Sequence, residues 1–170
     1  VRASLNYTPV TGVSPVDGAL TYSVSPALPA GLGLNSTNGV ISGTPSAESP
    51  GTTYTMTVRD GRSAASNSAE FYITVLPRFI VTQVTYVRAV TRNAPVNINI
   101  ASISGGSGTY SASVSPSLPI GLTLNVDSVS GVTISGITAE AQSAQDYAIT
   151  IKDDLVDGTS INRMLNLAVN

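Results

Sequence analysis

Val24-Ser25-Pro26-Ala27-Leu28-Pro29-Ala30-Gly31-Leu32-Gly33-Leu34-Asn35 returns as Val114-Ser115-Pro116-Ser117-Leu118-Pro119-Ile120-Gly121-Leu122-Thr123-Leu124-Asn125, 90 positions further along the chain. A repeat of this kind means one structural unit used twice, so the 170 residues divide into two modules. Within the stretch, two prolines hold the backbone extended and Gly31 allows a sharp bend. Leu28, Leu32 and Leu34 are then placed to point into a core as the chain crosses between sheets.

Outward from this stretch the apolar residues of the first copy recur with a period of two. Leu20, Tyr22 and Val24 precede it, and Asn38-Gly39 signals a hairpin returning through Val40-Ile41-Ser42. A loop from Ser46 to Thr52 leads to Tyr54, Met56 and Val58, which alternate up to Asp60, and then to Phe71, Ile73 and Val75. The second copy keeps the pattern at slightly larger offsets. Ile41-Ser42-Gly43 matches Ile134-Ser135-Gly136 and Tyr54 to Asp60 matches Tyr147 to Asp153, both at 93; Phe71, Ile73 and Val75 match Leu165, Leu167 and Val169 at 94. Three residues are therefore inserted around Val126-Asp127-Ser128. Val96, Ile98 and Ile100 alternate with Asn97, Asn99 and Ala101. No window of the first half has a helical period and the second half repeats its order, which predicts an all-β chain of two antiparallel modules, 1–76 and 77–170, joined at Leu76-Pro77.

Ahead of its own copy of the repeat, the second module carries Phe79-Ile80-Val81 and Val84-Thr85-Tyr86-Val87, strand material for which the first has almost no room before Leu5. The first module is expected to lack an opening strand or to receive it from elsewhere, and so to be the less stable of the two. A chain that opens on Val1 reads as a segment of something longer.

Leu28-Pro29-Ala30-Gly31-Leu32, Gly39-Val40-Ile41-Ser42-Gly43-Thr44-Pro45, Tyr54 to Asp60 and Phe71 to Val75 together resemble the bacterial Ig-like domain family, related to the cadherin-like domains of the dystroglycan type. Leu118-Pro119-Ile120-Gly121-Leu122 continues the likeness, whereas Ile134-Ser135-Gly136-Ile137-Thr138 has lost the Thr-Pro ending. The resemblance implies tandem immunoglobulin-like or cadherin-like β-sandwiches of about seven strands each. Such modules occur in surface proteins, adhesins, phage structural proteins and as accessory parts of secreted hydrolases. It implies no reaction, because a scaffold acts only through a site built on it.

Composition narrows the site. There is no His and no Cys, which removes Ser-His-Asp and Cys-His catalysis, zinc ligation and disulfides. Charged residues are 11% of the chain against roughly 25% in ordinary domains, with Ser, Thr, Gly and Asn in their place, and the net charge is −2. No basic patch exists for nucleic acid and no apolar run for membrane insertion. The surface is of an extracellular type, on a cell or a virion, with no cofactor expected.

Asp153, Asp154 and Asp157 form the one acidic cluster and are the candidate calcium ligands. The preferred alternative is structural: Asp153 ends a strand as Asp60 does, and Asp157-Gly158 makes a turn. Tyr54 and Tyr147 are candidates for a sugar platform, or, preferably, buried rings whose hydroxyls bond a backbone corner; Tyr7, Tyr72 and Tyr86 are candidate exposed contacts. Lys152, the only lysine, is out of phase with Ile149 and Ile151 and so is poorly placed for an isopeptide crosslink. Asn6-Tyr7-Thr8 and Asn35-Ser36-Thr37 match the glycosylation pattern. The expected role is a non-catalytic structural or adhesive segment, a spacer with protein partners or self-association through edge strands. Polysaccharide binding, or service as an accessory pair of a secreted enzyme, is the alternative.

Overall fold

Fourteen strands and no helix make up the described residues, which in this computed structural model are 4–10, 18–62, 66–156 and 159–170. Residues 1–76 and 77–170 are separate units.

The first unit contains β1 (Leu5–Tyr7), β2 (Leu20–Ser25), β3 (Leu32–Leu34), β4 (Ile41–Gly43), β5 (Ser49–Asp60) and β6 (Ser66–Val75). They form two three-stranded sheets, β1-β4-β3 and β2-β5-β6, all antiparallel. Tyr22, Ile41, Tyr54, Met56, Val58 and Phe71 are buried between them, with Leu28, Leu32 and Leu34 packed alongside. The alternation read from the sequence sets this core directly. Turn residues Ser14-Pro15-Val16-Asp17 lie outside the described residues.

The second unit adds two strands. Its elements are β7 (Ile80–Gln83), β8 (Val87–Val90), β9 (Val96–Ser104), β10 (Tyr110–Ser115), β11 (Leu122–Asp127), β12 (Gly131–Gly136), β13 (Gln142–Asp153) and β14 (Ser160–Val169). The sheets are β11-β12-β9-β7 and β10-β13-β14-β8. One pair departs from the antiparallel pattern, since β8 lies parallel to β14. Ile134, Tyr147, Ile151, Leu165 and Leu167 are wholly buried at 0% exposure and centre the core.

The repeated signature now has a physical cause. Gly31 and Gly43 adopt φ of 90° and 132°, and Gly121 and Gly136 adopt 92° and 134°, all rarely open to other residues. A Cβ on Gly43 would stand 2.2 Å from Gly31 O, and one on Gly31 would stand 2.2 Å from Thr44 O. The second copy repeats this, with Gly136 against Gly121 O and Gly121 against Ile137 O, each at 2.0 Å. Leu-Pro-x-Gly-Leu and Ile-Ser-Gly are thus two halves of one backbone crossing. Leu32 N and Leu122 N bond Pro29 O and Pro119 O, each at 3.0 Å, closing the bend in both copies. Ser25-Pro26 and Ser115-Pro116 are both cis. Loss of the Thr-Pro ending leaves the loop length unchanged: six positions separate Gly43 from Ser49 and Gly136 from Gln142.

Four expectations are corrected. β5 starts at Ser49 rather than after Thr52, because Pro50-Gly51 sits in a register shift where the ladder asks for no donor. Val84-Thr85-Tyr86 is a break between β7 and β8; the amides of Val84 and Thr85 both turn onto Ile100 O, sending the two strands to different sheets. Ala101 is buried, not outward, since β9 carries an extra residue where the register steps from Asn99↔Thr133 to Ala101↔Val132. The three inserted residues lengthen the arms of the β11–β12 hairpin, which pair out to Asp127↔Gly131, while the first copy turns through 36–39 on the Asn35 N to Val40 O bond.

Candidate functional site

The acidic cluster lies where β13 ends. Asp153 is 4% exposed, and its carboxylate accepts from Ser107 N at 2.9 Å and from Ser107 Oγ. Ser107 belongs to the glycine-rich loop 105–108, so this carboxylate ties the β9–β10 loop to the end of β13. Asp154 faces outward and accepts from Ser111 Oγ at 2.5 Å. The two carboxylates bond different residues of neighbouring segments. Asp157, the third calcium candidate, and Gly158 lie outside the described residues. Among the described residues no three His, Cys, Asp or Glu side chains gather as a metal site. Asp60, at the equivalent end of β5, accepts from Arg62 N at 3.0 Å.

Asp127 shows what an isolated carboxylate does here. At the β11–β12 turn it accepts from Ser130 N at 2.6 Å and Val129 N at 2.7 Å. These amides hold its carboxyl below the usual carboxylate range, Ser130 contributing most.

Tyr54 and Tyr147 are buried, and Tyr54 stacks on Phe71 with centroids 5.6 Å apart. Burial removes them as sugar platforms. The Tyr147 hydroxyl accepts from the Gln142 side chain at 2.6 Å rather than meeting backbone. The tyrosine that bonds a backbone corner is Tyr110, whose hydroxyl donates to Gly105 O while its ring stacks on Phe79. Sequence reading missed it because the first copy has Leu20 there; an aromatic just after a glycine-rich loop was the available signal.

Large apolar side chains do reach the surface. Tyr72 and Tyr86 are 66% and 67% exposed, and Ile120, Ile137, Leu155 and Met164 are also exposed. Tyr72 lies over Gly51, where a Cβ would meet its hydroxyl. Tyr7 stands beside Phe71, centroids 6.2 Å apart and rings tilted by 59°. Lys152 points to solvent, flanked along β13 by buried Ile151 and Asp153.

Comparison with known proteins gives one family and a shared fold. The family described as "Putative Ig domain" matches residues 2–76 and again 78–170. No curated protein matches the chain. Among solved structures, titin domains I67–I69 are 16% identical with a TM-score of 0.58, covering 99% of this chain and 60% of theirs. Immunoglobulin domains 1–5 of Sidekick-1 are 11% identical with a TM-score of 0.59, covering 89% and 32%. Extracellular domains 3–5 of Drosophila OTK are 13% identical with a TM-score of 0.57, covering 89% and 51%. The chain thus spans only part of each of these structures. Among the described residues no helix is long and apolar enough to cross a membrane.

Proposed function

Because the chain belongs to the Putative Ig domain family, with one domain in each unit, we propose that it works as a non-catalytic structural or adhesive segment of an extracellular protein. On a cell or virion surface it would serve as a spacer that meets other proteins through its strands. One observation carries this reading: side chains with chemistry to offer are spent on the fold, while apolar ones are offered outward. Asp153 holds Ser107, Tyr110 holds Gly105 and Tyr147 is held by Gln142. Tyr72, Tyr86 and Met164 stand exposed on or beside strands, the kind of aromatic and sulfur surface that protein interfaces favour. The sparse charge and abundant Ser and Thr support an extracellular setting.

Native mass spectrometry and chemical crosslinking of the protein from its source test this. Assembly with protein partners, crosslinked at or beside Tyr72 or Tyr86, is the expected result. A lone calcium-insensitive chain of 17.3 kDa that binds polysaccharide and no protein would overturn it.

A further inference from the structure

The hairpin between β3 and β4 carries the chain's one Asn-Gly pair, Asn38-Gly39. Geometry requires the glycine. Its φ is 74°, and a Cβ placed on it would stand 2.7 Å from two carbons of the Tyr22 ring, so a larger residue is both strained and crowded. The β11–β12 hairpin also turns on a left-handed glycine, Gly131 with a φ of 77°, but there Ser130 precedes it. A carboxamide ahead of an obligatory turn glycine therefore belongs to the first unit.

That pairing has a chemistry of its own, because a glycine after asparagine leaves its nitrogen unhindered. Once Gly39 N has given its proton to base, it attacks Cγ of Asn38. The new C–N bond closes a five-membered ring as the Cγ–Nδ2 bond breaks, and ammonia leaves with a proton taken from the medium. Water then opens the ring. Cleavage between Gly39 N and Cγ leaves aspartate, and cleavage between Gly39 N and the main-chain carbonyl leaves isoaspartate, whose backbone runs through the side-chain carbons.

In the folded hairpin both reacting groups are engaged. Gly39 N donates to Asn35 O at 2.9 Å, so the proton that must leave is held. Asn38 Oδ1 accepts from Val40 N at 3.0 Å, which fixes the carboxamide to the next amide along. Asn35 N closes the loop on Val40 O, and Tyr22 N docks it on Ser36 O, each at 2.8 Å. Asn38 itself is exposed, so water and base reach it freely. Bonding within the turn, and not burial, is what holds the reaction back.

We propose that Asn38 is a self-modification site, kept closed by the folded hairpin and released when the hairpin opens. The reaction consumes only water and needs no partner, so it is independent of what protein the chain meets. Isoaspartate adds one backbone atom inside a turn spaced for Gly39 N to reach Asn35 O and for Asn35 N to reach Val40 O, and so it breaks the turn. Opening of the first unit is then recorded in the chain as a permanent change.

Peptide mapping by mass spectrometry of the full 170-residue chain, held in mildly alkaline buffer, tests this, with a peptide of residues 33–42 as the unfolded reference. Asn38 should convert to aspartate and isoaspartate in the peptide and at least tenfold more slowly in the folded chain. Urea that unfolds the first unit should bring the chain's rate up to that of the peptide. Chains carrying isoaspartate, returned to native buffer, should show Gly39 amide exchange at least tenfold faster than the unmodified chain. Equal rates in the folded chain and the peptide, or no conversion in urea, overturn the proposal. An isoaspartate chain whose Asn35 and Gly39 amides exchange as slowly as before also overturns it, since the turn would then accept its own product.

Discussion

At Gly31 the reason for the family signature comes down to a single atom. Neighbouring glycines test it: a Cβ on Gly31 would be 2.2 Å from Thr44 O at a φ of 90°, whereas one on Gly33 would meet nothing within 4 Å. Gly31→Ala should therefore destabilise the first unit by at least about 2 kcal/mol, combining left-handed backbone cost and collision. Gly33→Ala should be neutral or stabilising by about 0.5 kcal/mol, because it restricts the unfolded chain and strains nothing. Urea unfolding of the two variants checks both signs. Asp127 gives a second test at this scale. Ser130 and Val129 amides depress its folded pKa below the unfolded value, so its stabilising effect is complete above the ordinary carboxylate pKa. It is lost as pH falls through the lower, folded value. An NMR titration should find the Asp127 carboxyl midpoint below the ordinary aspartate value, and Asp127→Ala should weaken the turn at pH 7 and weaken it less as pH falls through that midpoint.

Strand edges are where the two units differ most as elements. Ala168 lies in β14 between Asn166 and Asn170, whose amides bond Tyr86 O and Val90 O at 2.7 and 2.8 Å. Ala168→Pro should remove the bond between them and cost about 1–3 kcal/mol, since it opens a parallel ladder that covers core. Thr74→Pro, at the matching place on β6, should cost well under half as much, because no strand pairs there among the described residues. Paired thermal melts of the two variants measure the difference. Alternation made the elements themselves legible: Tyr54, Met56 and Val58 could face the core only if the chain around them was strand. What period two could not convey was register. The extra residue at Ile100, the Pro50-Gly51 irregularity and the sheet change at Val84-Thr85 are settled by pairing partners far away in sequence, and each shifts an expected boundary or face. The acidic cluster was legible as a cluster, but the partner that explains Asp153 is Ser107, 46 positions away in a loop of glycines. Tyr110 escaped because its counterpart in the first copy is not aromatic.

Over the whole molecule, repetition implies equality that the cores deny. Fourteen residues form the buried cluster of the second unit and six that of the first, among the described residues. Each further buried aliphatic side chain contributes about 1.5–3 kcal/mol of gross burial, offset in part by the entropy of ordering the longer chain. Phe79 and Val81 at β7 and Val96, Ile98, Ile100 and Ala101 of β9 supply six of the fourteen, and among the described residues the matching Leu5 and Tyr7 of the first unit are less buried. Two cores of unequal depth should unfold in two steps rather than one. Native-state hydrogen exchange should find Val40–Val58 opening at lower free energy than Ile134–Ile151, and calorimetry should resolve an early transition that Gly31→Ala shifts and Ala168→Pro does not. Equal protection in the two segments would mean that the smaller buried cluster costs the first unit nothing.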